Sequence, residues 1–285
     1  MSDLDNYTTL ISTQKLADHL QDPAWVIIDC RFSLDDTERG RRDYEEAHIP
    51  GAIYAHLDED LSGSIIPGKT GRHPLPDVEA MAARFGRWGI GLGVQVVAYD
   101  DAGGAIAARL WWLLKWLGHD AAAVLDGGWP HWIKTGLETR GGIETGSSRK
   151  FVPRERPEMW VKAGEVESVR QDPESQLLDS RTLDRYRGQN ETIDAIAGHI
   201  PGAVCLPYSG NLDENGLFLS RDQLRMRFQK ILDATPPEAA VFYCGSGVTA
   251  VHNLLAMAYG GLGLGRLYAG SWSEWITDSQ RPVER

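Results

Sequence analysis

The chain has 285 residues, 42% of them hydrophobic and 24% charged, enough for one large or two medium soluble domains. A formal net charge of −11 argues against a general nucleic-acid or anionic-membrane binder, and no apolar run is long enough to cross a bilayer. Three cysteines, Cys30, Cys205 and Cys244, form neither a disulfide framework nor a zinc-ligand pattern. The N-terminus, "MSDLDNYTTLISTQKL", is polar and acidic and does not read as a signal peptide, so a reducing cytoplasm is expected.

In chain order, "WVIID" (25–29) reads as a buried strand, followed by "HIPGA" (48–52) and a second strand in "VQVVAYD" (94–100). The spacing of "AIAARLWWLLKWL" predicts a helix over 105–117. A strand in "AAAVLDG" then meets "GGWPHW" (127–132), a turn that starts another helix. Residues 141–160, "GGIETGSSRKFVPRERPEMW", have the Gly, Ser, Pro and charge of an exposed linker. Beyond it the order returns: "QLLDS", "HIPGA" (199–203), a helix over 221–232, strand "AAVFYC", a helix over 248–259, strand "GRLYAG" and "GSWSEW" (270–275).

Four landmarks recur in one order. "HIPGA" returns after 151 residues, "IIDCR" as "LLDSR" after 150, "VVAYD" as "AVFYC" after 144, and "GGWPHW" as "GSWSEW" after 143. The chain therefore reads as a duplicated domain: 1–140, a linker over 141–158, and 159–285. Each copy alternates strands with helices, which predicts an α/β fold with a mostly parallel sheet covered on both faces. The repeated histidines, His48 and His199, and the repeated tryptophans read as framework residues.

The chemistry concentrates at "YCGSGVTA" (243–250). Cys244 falls where a parallel strand's carboxyl end meets a helix amino end, the place where such sheets bind ligands. Gly245 and Gly247 let successive amides turn inward, and the helix terminus adds positive partial charge. An anion cradle around a sulfur favours thiolate, the nucleophilic form. Cys30 and Cys205 lie in apolar runs without such a turn and read as small hydrophobes. The first copy has Asp100 at the matching position, so it is expected to be catalytically silent. A cysteine phosphatase would place an arginine six residues after the cysteine to clamp phosphate, and position 250 is alanine.

Tandem copies with "HIPGA", a closing "GSWSEW" and "CGSGVT" in the second copy alone resemble the rhodanese superfamily of sulfurtransferases over nearly the whole chain. The loop is similar to that of the branch using 3-mercaptopyruvate; the animal thiosulfate branch carries basic residues where Gly245 and Ser246 stand. The resemblance implies that Cys244 takes sulfur from a small anionic donor as a persulfide held by the amides of Gly245, Ser246, Gly247, Val248 and Thr249. It implies transfer to a thiol such as thioredoxin or a small thiol, or to cyanide, with no metal or organic cofactor, no nucleic acid and no membrane. It further implies that Arg185 binds the donor's carboxylate, and that Ser246, His73 and Asp58 form a relay. A second donor-binding arginine of that branch is missing before "GHIPGA", where Arg187 is the available substitute. Thiosulfate as donor, and a non-catalytic persulfide carrier, stay open as alternatives.

Overall fold

A computed structural model describes residues 6–285. Ten strands form two sheets. The first contains β1 (Leu10–Ile11), β2 (Trp25–Asp29), β3 (Ile53–Tyr54), β4 (Gln95–Tyr99) and β5 (Ala122–Leu125), ordered β1-β5-β4-β2-β3. The second contains β6 (Trp160–Val161), β7 (Gln176–Asp179), β8 (Val204–Cys205), β9 (Ala240–Tyr243) and β10 (Arg266–Tyr268), ordered β6-β10-β9-β7-β8. The second order is the first shifted by five elements, and every pairing in both sheets is parallel. Registers match too: Asp29 pairs with Tyr99 and Asp179 with Tyr243. The duplication read from four short motifs is thus a duplication of sheet topology.

The central strands, β4 and β9, are buried along their whole length. That explains why "QVVAY" and "AVFY" are near-continuous apolar runs rather than alternating ones: both faces of a parallel sheet are covered. The helix predicted over 105–117 is Ala107–Trp116, with all ten residues buried. Those predicted over 221–232 and 248–259 are Arg221–Leu232 and Ala250–Tyr259. Short helices at Gly128–Lys134 and Ser271–Trp275 follow the two tryptophan turns. No helix among the described residues is long and apolar enough to cross a membrane.

The framework residues repeat atom by atom. Arg31 pairs with Asp29, and its Nη2 donates to the Ala47 carbonyl at 2.7 Å; Arg181 pairs with Asp179, and its Nη2 donates to the Gly198 carbonyl at 2.7 Å. Each guanidinium lies over a repeated indole, Arg31 over Trp129 and Arg181 over Trp272. His48 stacks on Tyr44 and His199 on Tyr186. Burial alone would lower the pKa of Arg181, but Asp179, Tyr243 and Glu191 outweigh it and hold the guanidinium charged.

Two compact units result. One holds the residues up to Leu61, Pro76–Arg156 and Asn215–Leu217; the other holds Ser62–Leu75, Pro157–Glu214 and Phe218–Arg285. Residues 141–156, expected as a linker, run along the first unit, where the Arg149 amide donates to the Gly86 carbonyl and the Arg154 amide to the Leu117 carbonyl. Ser62–Leu75, from the first half of the chain, belongs to the second unit. There Gly71 lies against the Gly270 carbonyl, and the Arg72 amide donates to Ser273 Oγ at 3.1 Å.

Candidate active site

Cys244 follows β9 directly and is buried, 2% exposed. Its carbonyl accepts the Trp272 amide at 3.0 Å, and its amide donates to Ser271 Oγ at 3.1 Å. Ser271 Oγ donates in turn to the Tyr268 carbonyl at 2.9 Å. This tie comes from a side chain in an unusual place: Ser271 has φ +55°, in the left-handed region that L residues avoid.

The turn after Cys244 needs its second glycine. Gly247 has φ +78°, and a β-carbon there would lie 2.2 Å from the Ala269 carbonyl oxygen. The chain then enters the helix Ala250–Tyr259, with Thr249 as the preceding cap residue and Val248 buried. Among the described residues, the amides of Gly245, Ser246, Val248 and Thr249 have no acceptor within the protein. Four such donors around one strand end make an anion-binding turn.

Ser246 is buried, and its Oγ lies 2.7 Å from Nδ1 of the buried His73, which arrives on the Ser62–Leu75 segment. The family resemblance had placed these two in one relay with Asp58, and the fold brings Ser246 and His73 together. Asp58 lies in the first unit, where its amide donates to Nδ1 of His56 at 3.2 Å.

Arg185 leaves the short helix Leu183–Tyr186 and approaches the loop: a β-carbon at Gly245 would lie 3.6 Å from Arg185 Nη1. A second guanidinium, which the sequence reading missed, stands closer, with Arg72 Nη2 at 2.9 Å from that same position. The signal was its adjacency to His73 in "GRHPLP", which puts it on the segment that reaches the loop. Arg187 caps the same short helix but is exposed, and its charge acts on Cys205.

Two carboxylates that the sequence did not flag hold these arginines. Arg185 Nη2 donates to Glu191 Oε1 at 2.8 Å and to Asp194 Oδ2 at 3.0 Å, while Arg72 Nη1 pairs with Asp194 Oδ1. The side chains of Glu191 and Asp194 are only 2% and 3% exposed. Burial lifts Asp194 above the usual carboxylate range, with Arg72 the main opposing charge. Burial also acts on Glu191, but bonds from Arg185 and from the Asp194 and Ile193 amides prevail and hold it below its usual value.

The other thiols sit in different surroundings. Cys30 is fully buried, and desolvation raises it well above an ordinary thiol; Cys205 is pushed up to about 11, chiefly by burial. Glu38, His56 and Glu59 gather in the first unit with metal-like spacing, but the ring nitrogens of His56 are engaged by Thr37 and by the amides of Asp58 and Glu59.

A family model for the rhodanese-like domain matches residues 12–135 and again 162–278. A probable 3-mercaptopyruvate sulfurtransferase of Pseudomonas aeruginosa is 46% identical over 275 residues, covering 96% of this chain and 97% of that protein. A putative thiosulfate sulfurtransferase of Mycobacterium tuberculosis is 37% identical over 289 residues, covering 97% of this chain and 96% of its own length. Among solved structures, the 3-mercaptopyruvate sulfurtransferase from Leishmania major superposes with a TM-score of 0.83 at 32% identity, covering 97% of this chain and 76% of that one.

Proposed function

Because the chain belongs to the rhodanese-like family, we propose that it is a sulfurtransferase that moves sulfur from 3-mercaptopyruvate to a thiol or cyanide through a persulfide on Cys244. The observation that carries this reading is the pair of guanidiniums, Arg72 and Arg185, beside the Gly245 turn that follows Cys244. Arg185 Nη1 and Arg72 Nη2, the guanidinium nitrogens nearest Gly245, can donate to the oxygens of a planar α-keto carboxylate. We assign Arg72 the role of the second donor-binding arginine, for which the family resemblance had left Arg187 as the available substitute.

In the first half-reaction the Cys244 thiolate attacks the donor's sulfur. An S–S bond forms, the C–S bond breaks, and its electron pair leaves as the enolate of pyruvate. A proton delivered at the departing carbon gives pyruvate; Ser246 Oγ, hydrogen-bonded to His73, is the group we assign to it. The persulfide's negative charge is held by the loop amides. In the second half-reaction an acceptor thiolate attacks the outer sulfur and leaves Cys244 as thiolate again. This is covalent catalysis with ping-pong kinetics, and no metal or organic cofactor takes part in it. A reducing cytoplasm suits three free thiols, and thioredoxin or a small thiol suits the acceptor role.

The relative from Mycobacterium tuberculosis, named for thiosulfate, favours a second reading in which thiosulfate is the donor. Steady-state assays with both donors and cyanide separate the two. We expect the larger kcat/KM for 3-mercaptopyruvate, and a far larger value for thiosulfate would overturn that choice. Intact-mass measurement after donor exposure should show one added sulfur, lost in Cys244→Ser. The Ser246 role predicts that Ser246→Ala lowers kcat for 3-mercaptopyruvate by roughly ten- to a hundredfold. An unchanged kcat would remove Ser246 from the proton step.

A further inference from the structure

The second unit surrounds its cysteine loop with more carboxylate than an anion-binding site needs. Arg72 and Arg185 face Gly245, yet both are tied to Asp194, and Arg185 is tied to Glu191 as well. Arg181 extends the cluster, with Nη1 at 3.4 Å from Glu191 Oε2 and Nη2 at 2.7 Å from Asp179 Oδ2. Three guanidiniums thus meet three carboxylates, and the formal charges cancel. Each Asp194 oxygen faces a guanidinium, Oδ1 that of Arg72 and Oδ2 that of Arg185, and accepts from it.

A donor anion reaching Cys244 therefore finds directional N–H groups without net positive charge. Arg72 Nη2, which faces Gly245, and Arg185 Nη1 make no hydrogen bond to the protein among the described residues. Those groups can grip one carboxylate and its neighbouring carbonyl. A second negative charge on the donor would meet Asp194 and the thiolate with no cation left over to balance it.

We propose that Asp194 sets donor specificity: by neutralising Arg72 and Arg185 it admits a monoanionic α-keto thiol and disfavours a dianion such as thiosulfate. This rests on the sulfurtransferase reading above. Asp194 acts through the two arginines and is a positioning residue; selectivity here comes from a built-in repulsion as well as from fit.

The test is Asp194→Asn, with kcat/KM measured for both donors at fixed pH and ionic strength. The thiosulfate-to-mercaptopyruvate ratio should rise by about tenfold or more over wild type, and Asp194→Glu should keep the wild-type ratio. A ratio unmoved by Asp194→Asn overturns the proposal while leaving sulfur transfer standing. Wild-type turnover with neither donor would instead bring down the sulfurtransferase reading and this inference with it. A measurement on the wild type alone covers the case of a variant that fails to fold. Pyruvate, a monoanion, should compete against the donor at least about tenfold more strongly than sulfate, a dianion. Sulfate matching or exceeding pyruvate overturns the proposal.

Discussion

The turns after the two central strands begin alike and hold opposite contents. In the first unit the Asp100 carboxylate collects four backbone amides, Ala102 and Gly104 at 2.8 Å and Ile106 and Ala107 at 2.7 Å. In the second unit Cys244 occupies the matching place, and the amides of Gly245, Ser246, Val248 and Thr249 have no protein acceptor among the described residues. Trp129 and Trp272 mark the equivalence by donating their amides to the carbonyls of Asp100 and Cys244. The turn itself is an anion receptor. The side chain at its mouth decides whether the anion is built in, as in the first unit, or made by chemistry on sulfur.

A second difference lies behind each loop. Gly128 in the first unit and Ser271 in the second have nearly the same positive φ, +51° and +55°. Glycine takes that conformation without strain, whereas serine there costs about 1–2 kcal/mol. The second unit retains a strained side chain, and its hydroxyl is what fixes the Cys244 amide.

The comparison breaks first if Cys244→Ser keeps its turnover; the expected loss is on the order of a thousandfold or more. Adding Asp100→Cys to that variant should restore nothing, because Arg72 and Arg185 belong to the second unit and the repeat offset of 150 sets Asp35 against Arg185. Next in size, Asp100→Ala strips four amides of their acceptor and should cost about 3–5 kcal/mol in urea unfolding. A cost below about 1 kcal/mol would mean that the first cradle is not an anion receptor. Ser271→Gly should stay within about 1 kcal/mol of wild type in stability, since strain relief offsets the lost hydrogen bond. Its kcat/KM should fall several-fold as the Cys244 amide loosens; full activity would make the strained serine irrelevant to the site.

The smallest effect is a pH slope. The folded Glu191 carboxyl sits below its ordinary value of 4.5, so it releases its proton more readily than in the unfolded chain. Its contribution to stability is complete above pH 4.5 and is lost as pH falls through the lower folded value. Glu191→Gln should flatten the acid limb of the stability curve relative to wild type, while Asp100, in the other unit, should leave that difference untouched.

What was legible in the sequence was what local rules write there. Apolar runs ending at Tyr99 and Tyr243 specify strands, and paired motifs at nearly constant offset specify a repeated topology. A cysteine before Gly-Ser-Gly specifies a strand-to-helix turn that only glycine can complete at position 247. Arg187 shows where such rules stop. It is two residues from Arg185, and two helical steps of about 100° each turn it to the opposite side of the short helix, where it is exposed.

The sequence by itself determined the two α/β copies, the placement of the sulfur and the contrast between Asp100 and Cys244, because each follows from periodicity, turn chemistry or position within a repeat. Only the tertiary structure decided that Ser62–Leu75 serves the second unit, that Arg72 completes the guanidinium pair, and that Asp194 and Glu191 balance it. Those contacts join residues as far apart as His73 and Ser246, 173 positions along the chain. No local pattern encodes such a meeting; it is fixed by how the buried sheets and helices pack once the chain has folded.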